Sequence, residues 1–235
     1  MRIKIGIENG VEGRSLAWAL DYPACFAYGA DGPEAILHIP EALLRYKEWV
    51  DSHLEDSWML DLKDFDIHLD ETFEVYSVND RYDLAEDGIE INAWFRHDWK
   101  LLSEEEIRRG LLVLKWSRED LLDVAAGLSP LQMDKEFEGE RWSIRGVLGH
   151  IANAEHWYLS RLGLFECYWY ELPEDVFDRL FAVRERLNAV LPGLAGMEDV
   201  RGVAGEFWSP RKILRRAAWH EVDHIQHIFR LITLL

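Results

Sequence analysis

Three histidines near the end of the chain, His220, His224 and His227, stand four and three residues apart in the run AWHEVDHIQHIF. At 100° per residue they share one stripe with Ile213, Ala217, Ile228 and Leu231. A helix that buries this apolar stripe must therefore bury imidazoles with it. Each ring brings two nitrogens that need partners in a water-poor place. One buried histidine is commonly satisfied by a neighbour; three are satisfied together either by a hydrogen-bonded core network or by a divalent cation. His220 and His224, at i and i+4, lie one above the other and can converge on a single ion. Such a pair needs a third ligand from another helix.

His150, in the segment WSIRGVLGHIANAE, meets that need. It falls between Val147 and Ile151 on the inward side of a second helix, while His156 points elsewhere and reads as exposed. His150, His220 and His224 would form a three-histidine site with an open position, the ligand set that zinc uses for catalysis rather than for structure. His227 is either a fourth ligand or a partner that orients the others. Three neutral ligands leave the charge of the ion uncompensated, so the pKa of a bound water or thiol would fall toward neutrality. Two enzymatic readings follow, hydrolysis and thiol-dependent transfer. The rival from a different class is a non-enzymatic binding or regulatory protein, with a structural metal or none. Glu155, five residues after His150, lies off the ligand direction and reads as a solvated surface carboxylate rather than a base.

The elements that must carry these residues are helices. From Ser103 the apolar period is 3.6 residues. Ser103 with Glu106 is a capping box, and Ile107, Leu111, Leu114, Leu121 and Leu122 predict a first helix ending at Gly127. Ser143 caps a second, which ends near Gly163. Pro173 opens a third, which ends before Pro192. Ser209-Pro210 starts a fourth that can run to the chain end. Four helices with Gly or Pro in each connection predict a bundle over residues 101–235.

Residues 1–100 have a different pattern. Arg2–Glu8 alternates, and Asn9-Gly10 is a hairpin-turn pair. Strands are expected at Ser15–Leu20 and Cys25–Tyr28. A helix follows from Asp31-Gly32-Pro33 to about His53, with Pro40 a candidate kink. Further strands fit Phe65–Val78 and Gly88–Phe95. The whole is an α+β module.

Hydrophobic residues make up 49% of the 235 residues, with eleven Trp, ample for packed cores. The formal net charge is −18, and residues 1–100 hold 9 Lys/Arg against 22 Asp/Glu. So acidic a surface repels phosphate backbones and anionic lipid, and neither nucleic acid nor membrane is expected as a partner. No apolar run has the length of a membrane span, and the start lacks a signal-peptide core. Cys25 and Cys167 form no spacing motif and fit reduced thiols in a cytoplasmic protein. The many Trp are read as packing, and so is the run Phe165-Glu166-Cys167-Tyr168-Trp169-Tyr170, whose alternative is the lining of a pocket mouth or a dimer surface.

Trp142-Ser143 opening the second helix, Gly149-His150 within it, and the HEVDHIQHI run on the last helix together resemble the DinB/YfiT-like family of metal-binding four-helix bundles. The resemblance implies that His150, His220 and His224 hold a divalent metal, nickel or zinc. It implies a small-molecule substrate, with a low-molecular-weight thiol as nucleophile in S-transferase chemistry, and a homodimer. The common family ending places a second adjacent His and a Gly-Gln after the pair; Ile225-Gln226-His227 stands there instead. Upstream, LDYPACFAYGADGPEAILHIPEALLRY resembles HicB-like domains, with Ala24 where that pattern has Gly. This implies a small α+β fold over residues 1–100. The antitoxin role of such domains usually needs a basic DNA-binding element, which this acidic half lacks.

Overall fold

The computed structural model describes residues 1–59, 62 and 64–235. It has an N-terminal sheet module and a helical C-terminal region, as the two periodicities predict. The chain divides into two compact units, residues 1–100 with 200–215, and residues 101–199 with 216–235.

The first unit is built on a four-stranded sheet in the order β3-β2-β1-β4. Its strands are β1 (Arg2–Val11), β2 (Arg14–Ala19), β3 (Phe26–Gly29) and β4 (Asp66–Glu74). β1 pairs antiparallel with β2 and parallel with β4. The hairpin turn is not at Asn9-Gly10. Val11 pairs with Arg14, so the two-residue turn is Glu12-Gly13, and both have positive φ as that turn demands. Gly10, at φ 91°, instead accommodates a register shift between Asn9 and Val11. Helix α1 (Gly32–His53) is capped by Asp31, which accepts from the Glu34 amide at 2.9 Å, and it continues through Pro40. Ala35, Ile39, Leu43, Tyr46 and Val50 are buried along its inner stripe.

Of the remaining alternating sequence, only Ser77–Val78 (β5) and Ile89–Glu90 (β6) pair, as a short ribbon. A second ribbon, β7 (Arg201–Val203) with β8 (Glu206–Trp208), precedes the last helix. This unit also buries charge. Lys212 is fully buried and donates to Glu206 at 2.6 Å, and Arg215 is paired with Asp98 at 2.6 Å. Burial alone would raise Asp98, but Arg215 holds its carboxyl below the usual range.

The second unit holds α2 (Glu104–Ala126), the one-turn α3 (Pro130–Met133), α4 (Ile144–Arg161), α5 (Val176–Val190) and most of α6 (Pro210–Ile232). The Ser103–Glu106 capping box is made as expected, with each side chain accepting from the other's amide. Ser143 caps α4 through the Gly146 amide. α5 begins later than Pro173 implies, because Asp175 accepts from the amides of Phe177 and Asp178 and so takes the cap. Leu121, Val147, Leu148, Ile151, Leu180, Val183, Ile228 and Leu231 belong to one core cluster. Among the described residues no helix is long and apolar enough to cross a membrane.

Candidate metal centre

α4 and α6 bring three imidazoles together. Nε2 of His220 lies 3.1 Å from Nε2 of His150 and 3.1 Å from Nε2 of His224, and the three nitrogens fall within 4.8 Å of one another. The helical phase explains the convergence. His220 and His224 are one turn apart on the inner stripe of α6, and His150 stands between the buried Val147 and Ile151 of α4.

The three rings cannot satisfy one another. A neutral imidazole offers one in-plane lone pair and one N–H, yet Nε2 of His220 faces two other Nε2 atoms at equal range. Nδ1 of His224 is buried with no hydrogen-bond partner among the described residues. Zinc–nitrogen bonds of about 2.0–2.1 Å at tetrahedral angles place ligand nitrogens about 3.3 Å apart. The 3.1 Å spacings therefore suit a divalent ion as the shared partner.

Electrostatics favours the neutral form of these rings. Burial lowers the pKa of His150, aided by Arg141 and His227. Burial also pushes His220 well below the ordinary histidine value, with His224, His150 and Arg216 adding to it. His224 falls to about 3, through burial first and then His150, His227 and Arg230. Neutral rings have the free lone pairs that a metal needs.

Aromatic rings fix the cluster from outside. Trp142 stacks on His150 at 4.4 Å with an interplanar angle of 24°. It can lie there because residue 146 is glycine: a Cβ at that position would stand 2.9 Å from the Trp142 Cβ. Tyr158 meets His220 edge-on at 5.9 Å, and Trp219 lies 5.7 Å from the same ring.

His227 is placed differently. Its ring is 5.9 Å from that of His224, but its Nε2 is 3.0 Å from Oε2 of Glu140 in the loop before α4. That contact occupies the nitrogen and leaves three histidine nitrogens facing one another.

Three sequence expectations need correction. His156 is not exposed: it is buried, and its Nε2 lies 2.9 Å from the carbonyl oxygen of Cys167. Glu155 is not a solvated carboxylate either. It accepts from Arg118 at 3.0 Å and from Arg184 at 2.8 and 2.9 Å, all three side chains being buried. Glu221, next to His220, completes the set by accepting from Ser117, Arg118 and Arg184 at 2.9 Å for the last. Burial alone would raise the Glu221 pKa, but Arg184 and Arg118 hold it below the usual carboxylate range. Each of the four long helices supplies one charge to this network. Sequence reading missed it, although Arg118, Arg184, Glu155 and Glu221 each stand at an apolar-stripe position, where a charge signals a buried partner. The run from Tyr168 to Tyr170, read as packing, is instead exposed, with Tyr168 stacked on Tyr170 at 5.2 Å.

Residues 114–228 match the DinB superfamily. A solved structure of YfiT from Bacillus subtilis, described as a probable metal-dependent hydrolase with an unusual four-helix bundle topology, is similar at 24% sequence identity and a TM-score of 0.45. That likeness covers 57% of this chain and 89% of the other. A search of the curated proteins gave no match.

Proposed function

We propose that the DinB-superfamily region, residues 114–228, is a metal-dependent reaction centre acting on a small molecule, with one divalent ion held by Nε2 of His150, His220 and His224. The observation that carries this reading is the convergence of three histidine rings, with Nε2 of His220 at 3.1 Å from Nε2 of both others and all three ligand atoms within 4.8 Å of one another. Imidazole ligands suit zinc and nickel.

A reaction centre is favoured over a structural staple by the hydrogen bond between His227 and Glu140, which withdraws the nearest further imidazole from the cluster. Three protein ligands leave room for a reactant, whereas structural sites are closed by four. When bound, the ion would supply positive charge that stabilises the deprotonated form of an adjacent nucleophile. Around it the chain holds the ligand rings by stacking Trp142 on His150 and packing Tyr158 and Trp219 against His220.

The nucleophile in this reading is a low-molecular-weight thiol, as the resemblance of the HEVDHIQHI and WSIRGVLGHIANAE segments implies. The chemistry agrees. A thiol has an ordinary pKa of about 8.5, so a nearby cation need lower it by only about one or two units to give thiolate at neutral pH, while water starts near 15.7. Zinc- or nickel-loaded protein should then turn over an electrophilic substrate faster with a small thiol present than with water alone, and should lose that difference in His224→Ala. Equal rates with and without thiol would assign hydrolysis.

A further inference from the structure

We infer that the substrate carries an anionic oxygen group, a carboxylate or a phosphate, which Arg141 and Arg230 hold at the mouth of the histidine cluster. This rests on reading that cluster as the reaction centre.

The chain has 44 acidic residues against 26 basic ones, and most bundle arginines are engaged by a carboxylate or by a carbonyl or amide oxygen, as Arg179 is by Pro173 and Asn153 and Arg186 by Leu164. In the bundle Arg108 and Arg109 sit on Glu105, Arg145 on Asp134, and Arg118 and Arg184 on Glu155 and Glu221. Arg141 and Arg230 are exposed, and neither makes an ion pair among the described residues.

Both belong to segments that one contact joins. The contact between Glu140 and His227 ties the loop before α4 to the last turns of α6. Arg141 follows Glu140 directly, and Arg230 is three residues after His227, on the neighbouring turn of the same helical face. Lys135 fastens the same loop to the carbonyl of Leu234 at 2.8 Å. The guanidinium of Arg141 lies 4.5 Å above the Trp142 ring, whose centroid is 4.4 Å from that of His150. Electrostatically, Arg141 acts on His150 and Arg230 on His224.

The carboxylates nearby are largely committed. Glu140 is held by His227 and Asp134 by Arg145, while Asp223 has interactions of its own and Glu138 is exposed. Two exposed guanidinium groups without an ion-pair partner therefore flank the Glu140–His227 contact, and a guanidinium fork matches carboxylate and phosphate oxygens. Such a pair gives an anion a local attraction that the overall charge of −18 opposes everywhere else.

The test follows the indole N–H signal of Trp142 in the full-length, zinc-treated protein while succinate, methyl phosphate or uncharged succinamide is added at low ionic strength. At least one anion should bind about tenfold more tightly than succinamide, and Arg141→Gln or Arg230→Gln should each weaken that anion by about tenfold, as expected for a lost charge-assisted pair. Zinc per chain and succinamide binding should not change in either variant. Equal binding of all three compounds, or anion binding indifferent to both substitutions, would overturn the inference. The stronger of the two anions tells carboxylate from phosphate. A protein that takes up no zinc yet binds an anion through both arginines supports this site while removing the metal reading.

Discussion

Nε2 of His227 and Oε2 of Glu140 lie 3.0 Å apart, so the third histidine of the HEVDHIQHI run is engaged by the loop before α4 rather than by the cluster beside it. The pair joins the end of α6 to the start of α4 across 87 residues of sequence. His227→Ala should therefore leave metal content per chain unchanged. Elemental analysis checks this directly, and loss of metal in that variant would make His227 a ligand.

His156 illustrates a buried histidine with an ordinary task. Its ring packs at 5.0 Å against Phe165, and its Nε2 meets the Cys167 carbonyl at 2.9 Å. His156→Ala should keep the metal and destabilise the fold by about 1–3 kcal/mol, the usual cost of leaving a buried polar group unpaired. Urea unfolding with metal analysis of the folded protein separates the two effects.

Removing Arg184 should be far more damaging. Its guanidinium donates to Glu155, to Glu221 and to the Leu114 carbonyl, all inside the bundle. Arg184→Met would leave two buried carboxylates short of donors, at a cost of about 3–5 kcal/mol. Pairing it with Glu155→Gln should recover part of the loss, since one of the stranded charges is then gone. Denaturant midpoints of the two variants measure that recovery.

Acid should weaken the metal-free fold early. His220 and His224 have folded pKa values below the ordinary 6.5, so the unfolded chain binds protons that the folded chain refuses. Stability is then full above about pH 6.5 and is lost as the pH falls from there toward the folded value of His224 near 3. Urea midpoints at about pH 7.5 and 5.5 should show this fall, and His220→Gln should flatten it. A midpoint that rises on acidification would contradict the assigned neutral rings.

Much of this arrangement is legible in the sequence because it follows from periodicity. The 3.6-residue stripes place His150 between Val147 and Ile151 and set His220 above His224, and caps such as Ser103 with Glu106 fix where helices begin. What escaped was decided by tertiary partners. Asn9-Gly10 has the composition of a hairpin turn, yet the register of β1 against β2 puts the turn at Glu12-Gly13. Pro173 has the chemistry of a helix start, but the side chain of Asp175 accepts the free amides two and three residues on. Glu155 looked solvated because a carboxylate is costly to bury alone, and its two arginines arrive from α2 and α5. His156 was misplaced for the same reason, its partner being a backbone carbonyl that no side-chain pattern reveals.

His150, His220 and His224 together are expected to hold one divalent ion. Elemental analysis of untagged protein by plasma mass spectrometry, run beside His224→Ala, tests it most directly. The expected result is about one zinc or nickel per chain in the parent and little in the variant, as a single three-histidine site requires. No metal in either protein, even after incubation with zinc or nickel, would contradict it and leave the three rings as core residues.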